Sequence, residues 1–543
     1  MEYVRSSTTR EFDVVILGAG IAGSMLGCVL ARNGVAVLIL DAFSHPRFAI
    51  GESTIPLSTL FVEILSRRFN VPELMALTDP EEYEKNIGST CGVKANFGYV
   101  HHTEGRPQRA EDAQQLGASK IYRHDEIHLF RQDTDAYLTQ VAIGYGATVR
   151  QDVKITDVAF DDRGVGVTSA RGERFRGRYI VDATGYRSVL ADKFKLREEP
   201  TTLKHQSRSL FTHMLGVKPY DEIADAVRFH GLESPWFKGT LHHLFDGGWL
   251  WVIPFNNREG STNQLCSVGL TLDPRRYPRT QASPEEEFGR FLERFPEIAR
   301  QFAGARPVRE WVATDRLQYS SHTSVGDRWC LMSHASGFVD PFYSRGLINS
   351  MEIIQAFSTR MLLAVKDGDF SRTRFKDVET LQDRMLRHND ALVDCSYIAF
   401  RDNALWNAFL RVWILGTYAA EATAISLLNG YRTTGNAGFL KRFDNPPCPG
   451  LVYPFDPWYR DMFARATDAV YAVERGELSS ADAAKRIFDM IQTAEYPGST
   501  WALPSSRNLF QAIVSPDNRD LFYRPERDEK PGADLPPVHV EAS

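Results

Sequence analysis

Apolar runs alternate with glycine and polar breaks from the start of the chain. After a polar leader, Phe12 to Leu17 (FDVVIL) is an apolar run, interrupted only by Asp13, and predicts a buried strand. The glycine turn Gly18 to Gly23 follows, and then SMLGCVLARNG, which has helical spacing and a C-cap signal at Gly34. Val35 to Leu40 (VAVLIL) is apolar again and ends on Asp41. Strand, glycine turn, helix, strand and acid together predict a βαβ unit opening a parallel sheet. Further on, RYI leads into Val181-Asp182-Ala183-Thr184-Gly185 and reads as a second sheet crossing back to the first. From about Arg208 to Leu272, apolar and polar positions alternate in several runs, among them GWLWVIPF and CSVGLTL. That pattern predicts a mostly antiparallel sheet of the kind that covers a cofactor's reactive end. Arg328 to Leu331 is another strand, leading into a Gly-rich turn.

Beyond about residue 347 the period becomes helical and stays so, apart from the Pro/Asn-rich break DNPPCPG at Asp444 to Gly450. The predicted class is α/β, divided into a core over 1–360 with the antiparallel sheet interleaved at about 200–320, a mostly helical region over 361–525, and a polar tail over 526–543.

Composition narrows the function classes. Hydrophobic residues make up 43% and charged residues 24%, which excludes a disordered or coiled-coil chain. The net charge of −6 leaves no bulk basic field for nucleic acid. The six cysteines (Cys28, Cys91, Cys266, Cys330, Cys395, Cys448) form no C-x-x-C pair and no zinc spacing, so no metal site is expected and buried thiols in a reducing compartment are. The leader MEYVRSSTTREFD lacks the apolar stretch of a secretory signal. The nearest candidate for a membrane span, Val412 to Ala420, is short and flanked by Arg411 and Glu421. A cytoplasmic protein without a membrane partner is the expectation.

The glycine turn carries the first candidate chemistry. Gly18 permits the tight turn, Gly20 lets backbone approach a pyrophosphate, and Gly23 lets the helix pack on the strand. Asp41, 23 positions after Gly18, is placed for a ribose hydroxyl. These features predict dinucleotide binding and do not separate FAD from NAD.

Several later segments do. PRFAIGESTIP (Pro46 to Pro56), FRQDTDAYL (Phe130 to Leu138), VDATGYRS from Val181 and SHASGFVDPFYSRGL (Ser333 to Leu347) resemble, in order, the FAD fold of the aromatic hydroxylase group. Within that group, Gly51-Glu52-Ser53, the lysine of CGVKANFGYVHH and the W-x-W-x-I-P string at Trp249 to Pro254 resemble the flavin-dependent halogenases, most closely the phenol- and polyketide-modifying branch. The resemblance implies FAD, used as FADH2 with O2 and chloride, and a separate NAD(P)H-dependent flavin reductase as partner. It further implies a small aromatic substrate and a place in antibiotic biosynthesis. It adds Ala19, Ala22, Arg47, Glu52, Ser53, Arg131, Asp340 and Leu347 to the cofactor site, with Glu52 and Ser53 near the isoalloxazine end. It assigns chloride to the main-chain N–H groups of Arg345 and Gly346, and a wall between flavin and substrate to Trp249 and Trp251.

Lys94 would relay hypochlorous acid to the substrate. Period-2 alternation alone puts Lys94, Asn96 and Gly98 on the polar face of a strand, opposite Val93, Ala95, Phe97 and Tyr99, where a lysine is a solvated charge. Two departures from the family pattern bear on the chemistry. Ser333-His334-Ala335 stands where Gly-Asp-Ala is usual, so the acid near the ribityl chain is missing. Tyr343 stands where the indole-acting members carry a glutamate, and a phenol with a reference pKa of about 10 is no carboxylate base. That favours a phenolic substrate, which needs only its own deprotonation. An NAD(P)H-dependent aromatic hydroxylase and a non-catalytic binding protein on the same fold are the alternatives; the first leaves Lys94 and the tryptophan string together unexplained, and the intact glycines oppose the second.

Overall fold

The structure is a computed structural model that describes residues 11–117, 125–225, 234–444 and 457–493. Cys448, most of the Pro/Asn-rich break and the tail fall outside those residues.

The apolar run at the start forms strand Glu11–Leu17 at the centre of an eight-stranded sheet. Val37–Leu40 and Arg174–Asp182 flank it, both parallel, with Thr148–Arg150 and Trp329–Leu331 continuing outward in parallel on either side. Arg174–Asp182 therefore belongs to the first sheet itself rather than to a second one crossing back. Glu11–Leu17, beyond Asp13, and Val37–Leu40 are buried on both faces, as parallel pairing demands, which is why these segments read as apolar runs. The first helix, Ile21–Arg32, crosses over the sheet, with Gly34 just past its end at φ 83°.

The second sheet is also eight-stranded and mostly antiparallel. Arg208–Leu215, Cys266–Leu272, Gly248–Pro254 and Thr240–Phe245 are adjacent in that order. It extends further than the 200–320 boundary: Asn96–His101 pairs in parallel with Thr240–Phe245, and Ala113–Gly117 pairs with Asn96–His101 in turn. A separate two-stranded ribbon joins Gly92–Lys94 to Glu126–His128.

The helices after residue 346 are Gly346–Asp367, Arg372–Ala399, Asn403–Thr434, Pro457–Glu474 and Ser480–Thr493, with a short helix at Gly438–Lys441. Residue 360 lies inside the first of them, and one apolar cluster runs from Met25 and Leu60 through Phe357 to Trp406 and Ile491. Position 360 is thus no structural boundary, because the helices complete the core of the nucleotide-binding half. Among the described residues no helix is long and apolar enough to cross a membrane, no group of metal-ligating side chains forms, and the five described cysteines are free and buried.

Trp251 packs against the neighbouring strand at Gly269, where an added Cβ would come within 2.0 Å of the indole ring carbons. Gly269→Ala should cost about 1–3 kcal/mol through overpacking and lower the Tm, read by thermal melting; an unchanged Tm would mean that the sheet yields there freely.

Candidate functional site

A cavity of about 910 Å³ opens where the parallel sheet, the antiparallel sheet and the start of Gly346–Asp367 meet. The glycine turn forms one end. Gly18 takes φ 95°, and a Cβ there would lie 2.9 Å from the Ala183 carbonyl oxygen. Gly20 is extended and faces open space, its nearest neighbour for an added Cβ being Asp135 at 3.9 Å. Gly23 has no room for any side chain against the Gly18 carbonyl. Gly20, Ile21 and Ala22, at the start of the first helix, where backbone N–H groups have no partner within the helix, border the cavity. Ala19 donates its N–H to Asp41 Oδ2 at 2.6 Å, and Arg47 Nη2 reaches the same oxygen at 2.7 Å.

Gly51-Glu52-Ser53 borders the middle of the cavity, with Gly51 at φ 92°. Arg131 holds this loop from behind: its Nη1 donates to the carbonyls of Ile50 (2.5 Å) and Gly51 (3.2 Å), while Nε and Nη2 clamp Asp135. The Glu52 carboxylate, assigned by resemblance to the isoalloxazine end, is turned into the antiparallel sheet. It lies 2.8 Å from His213 Nε2 and accepts from Ser267 Oγ at 3.1 Å. Asp340 is also spent internally, accepting from Ser207 Oγ (2.9 Å) and the Tyr397 hydroxyl (3.2 Å). Glu52, Arg131 and Asp340 therefore shape the cavity with backbone and carbon while their charges brace the walls.

Asp340 has a neighbour that no motif marked. His205, fully buried, lies 3.5 Å from Asp340 and 3.8 Å from Asp394. Burial lowers the imidazole pKa, but the two carboxylates outweigh it and raise the value above the ordinary 6.5.

Trp249 and Trp251 are buried on one face of their strand, ring centroids 5.5 Å apart, and both border the cavity. Phe342 stacks edge-on against Trp249 at 4.9 Å. The turn beyond brings Ser344 (φ 53°), Arg345, Gly346 and Leu347 to the cavity at the N-terminus of a 22-residue helix. Its N–H groups and the buried Arg345 guanidinium, pulled down to about 10 by desolvation, make this end electropositive. His334, in the place of the usual acid, lies against Gly346; burial, and then Arg131, press its pKa down to about 4, so it is neutral. Tyr343 donates its hydroxyl to Ser396 Oγ at 2.7 Å, since Ser396 gives its own proton to the Leu392 carbonyl, and burial raises the phenol further.

Lys94 does not border this cavity. The strand breaks at Ala95, whose N–H bonds to the Lys238 carbonyl at 2.6 Å, so the alternation through 93–99 is lost and Lys94 turns inward. It is fully buried. Its Nζ donates to Ser53 Oγ (2.7 Å) and the Thr54 carbonyl (2.6 Å), and stands 3.1 Å from the centroid of Phe97. Desolvation takes its pKa well below the ordinary range, with Glu126 on the paired strand pulling the other way. Phe97 in turn borders a small apolar cavity with Pro56, Leu116, Trp413 and Tyr418.

Comparison with known proteins decides what this arrangement is. Residues 11–222 match the FAD binding domain family. Monodechloroaminopyrrolnitrin halogenase PrnC of Pseudomonas fluorescens is 47% identical over 489 residues, 90% of this chain and 86% of that one. Tetracycline 7-halogenase of Kitasatospora aureofaciens is 43% identical over 91% of this chain and 88% of its own. This chain belongs to the flavin-dependent halogenases. The crystal structure of halogenase PltM in complex with phloroglucinol and FAD superposes with a TM-score of 0.85 at 36% identity, covering 90% of this chain and 98% of that one.

The cofactor of this halogenase is FAD, and the residues fit it: an open cradle at Gly20, a helix N-terminus behind it, and a cavity of about 910 Å³ lined from the glycine turn to Leu347. Sequence reasoning missed Thr54, Glu126, His128 and Thr240 around Lys94. They come from three separate segments, the stretch after Gly51, the strand Glu126–His128 and the strand Thr240–Phe245, so no local sequence signal gathers them.

Gly20→Val would fill the cradle and should weaken FAD binding by about tenfold or more, read by fluorescence quenching; unchanged affinity would mean the turn does not face the pyrophosphate. For His205, a raised folded pKa means its stabilisation is complete below pH 6.5, the ordinary value, and is lost as pH rises through the raised one. The Tm advantage of the native protein over His205→Gln should thus be larger at pH 6 than at pH 9 (about three units apart); a pH-independent difference would show that the imidazole is not held charged.

Proposed function

We propose that the protein chlorinates an electron-rich phenolic or polyketide-type aromatic, and that Lys94 hands hypochlorous acid to it. The observation that carries this reading is the position of the Lys94 ammonium, between Ser53 on the flavin cavity and Phe97 on the apolar cavity. Bound reduced flavin, with O2 and chloride, supplies the hypohalous acid. The N–H groups of Arg345 and Gly346 bind the chloride at the electropositive helix end. Trp249 and Trp251 keep the aromatic substrate from the flavin, and so from direct oxygen transfer. A group as strongly desolvated as Lys94 is poised as an amine that hydrogen-bonds or takes up chlorine.

On the side of Lys94 away from the flavin cavity, the Asn403–Thr434 helix, through Trp413 and Tyr418, closes a cavity of only about 20 Å³ beside Phe97, so a substrate approaching from this side requires the helix to yield. Tyr343, which borders the flavin cavity, offers no carboxylate base, which suits a substrate that brings its own ionisable hydroxyl. Two relatives act, by name, on monodechloroaminopyrrolnitrin and tetracycline, and a third was crystallised with phloroglucinol, all electron-rich rings. Reduced flavin comes from a separate NAD(P)H-dependent reductase, and a cytoplasmic setting provides both.

The test is turnover with FAD, a flavin reductase, NADH and chloride against a panel of phenols and polyketides, read by mass and isotope pattern. Chlorine in the product supports the reading; added oxygen alone would turn it to hydroxylation. Lys94→Met, close to isosteric, should lower chlorination by about a hundredfold or more while FAD binding and oxidation of FADH2 persist. Substantial chlorinated product from that variant would remove Lys94 from the chemistry.

A further inference from the structure

Lys94 is the first member of a buried hydrogen-bonded chain whose direction can be worked out atom by atom. The far end fixes it. His128 Nδ1 is 3.0 Å from the Pro254 carbonyl, which can only accept, so Nδ1 carries the proton. Nε2 of the neutral ring is then an acceptor, and its partner at 2.9 Å is Thr240 Oγ1, which must donate. Thr240 has one proton and has given it, so it accepts from Ser53 Oγ at 2.9 Å. Ser53 in turn accepts from Lys94 Nζ at 2.7 Å and from Ser344 Oγ at 3.2 Å. Every donor along Lys94, Ser53, Thr240 and His128 points the same way. Lys94 and His128, the two ends of the chain, are fully buried, and the two hydroxyls between them, Ser53 and Thr240, border the flavin cavity, so the protein supplies a direct path between ends that do not themselves face water.

We infer that Ser53, Thr240 and His128 form a proton relay that takes up the proton Lys94 sheds in becoming an amine and returns it afterwards. This rests on the role given to Lys94 above. In the forward step one N–H bond of the ammonium breaks, its electron pair stays on Nζ, and the proton goes to Ser53 Oγ. Ser53 passes its own proton to Thr240, Thr240 passes its proton to His128, and an N–H bond forms at Nε2. No electrons are transferred and the charge moves from lysine to imidazolium. The groups facing the chain set its cost. Glu126, opposite Lys94 in register and bonded by Thr54 and Thr59, favours the ammonium. Burial, and then Lys94 itself, press His128 down to about 3, so the imidazole starts neutral and the imidazolium becomes easier to hold once Lys94 has lost its charge. The bond from Ser344 ties the relay to the turn assigned to chloride, one residue before Arg345.

Thr240→Val removes the hydroxyl at constant shape, and His128→Asn keeps a donor for the Pro254 carbonyl while removing the base. Each is assayed with FAD, flavin reductase, NADH, chloride and phloroglucinol, alongside a soluble scavenger of hypochlorous acid. Both variants should lower kcat for chlorination about tenfold or more with KM and FAD affinity little changed, and divert oxidant to the scavenger. Thr240→Ser, which keeps the hydroxyl, should recover most of the rate. The rate in H2O/D2O mixtures should bend for the native enzyme, as for several protons in flight, and straighten in Thr240→Val. Native-like kcat in Thr240→Val and His128→Asn, or an unaltered isotope curve, overturns the relay and leaves the halogenation reading standing. Oxygenated rather than chlorinated product from the native enzyme overturns that reading, and the relay with it.

Discussion

Residues 50–54 are the constraint on which the functional half of the molecule depends. Within five positions the loop is tied to three different parts of the fold. Arg131 of the nucleotide-binding half holds the carbonyls of Ile50 and Gly51. Glu52 is locked into the antiparallel sheet by His213 and Ser267. Ser53 meets Lys94, Thr240 and Ser344, the last from the turn that starts the long helix. Successive side chains point in opposite directions because the segment runs as an extended strand against Ile127–Leu129. Gly51, in the left-handed region, makes the bend that allows it.

The energetic logic of that loop is the burial of charge. An ammonium out of water is tolerated only where acceptors surround it and where its pKa can fall. Lys94 has a hydroxyl, a carbonyl, an aromatic face and a carboxylate on the neighbouring strand. Glu52 with His213, Arg131 with Asp135, and Asp340 with His205 are further buried pairs arranged around the same cavity. Such pairs add little net stability but are costly to break singly, so they fix geometry more than they add strength. Residues that resemblance assigns to cofactor contact here act as struts.

What the sequence made legible follows from locality. The βαβ unit, the glycine turn and Asp41 are contiguous, and each residue's role follows from backbone geometry, so they could be read directly. The tryptophan pair was legible as one face of a strand because its period is unbroken. Lys94 was not, since the break at Ala95 cancels the alternation that would have put it in solvent, and only family resemblance marked it. His128 and Thr240 lie 34 and 146 positions from Lys94 and are gathered by strand order alone. The boundary at 360 failed for a related reason: a change of period along the chain does not mark where a core ends.

The burial of the cysteines bears on how long such an enzyme lasts. A catalyst of halide oxidation works beside a reagent that attacks thiolates faster than almost any other side chain. Cys91 is pushed up to about 11 by desolvation, and Cys28, Cys266, Cys330 and Cys395 are raised too, so at neutral pH the five hold almost no thiolate. Thioethers have no proton to withhold, and Met332 and Met385 border the flavin cavity. Among the described residues, these two thioethers rather than the five buried thiols are thus the sulfur groups that oxidant straying within that cavity meets.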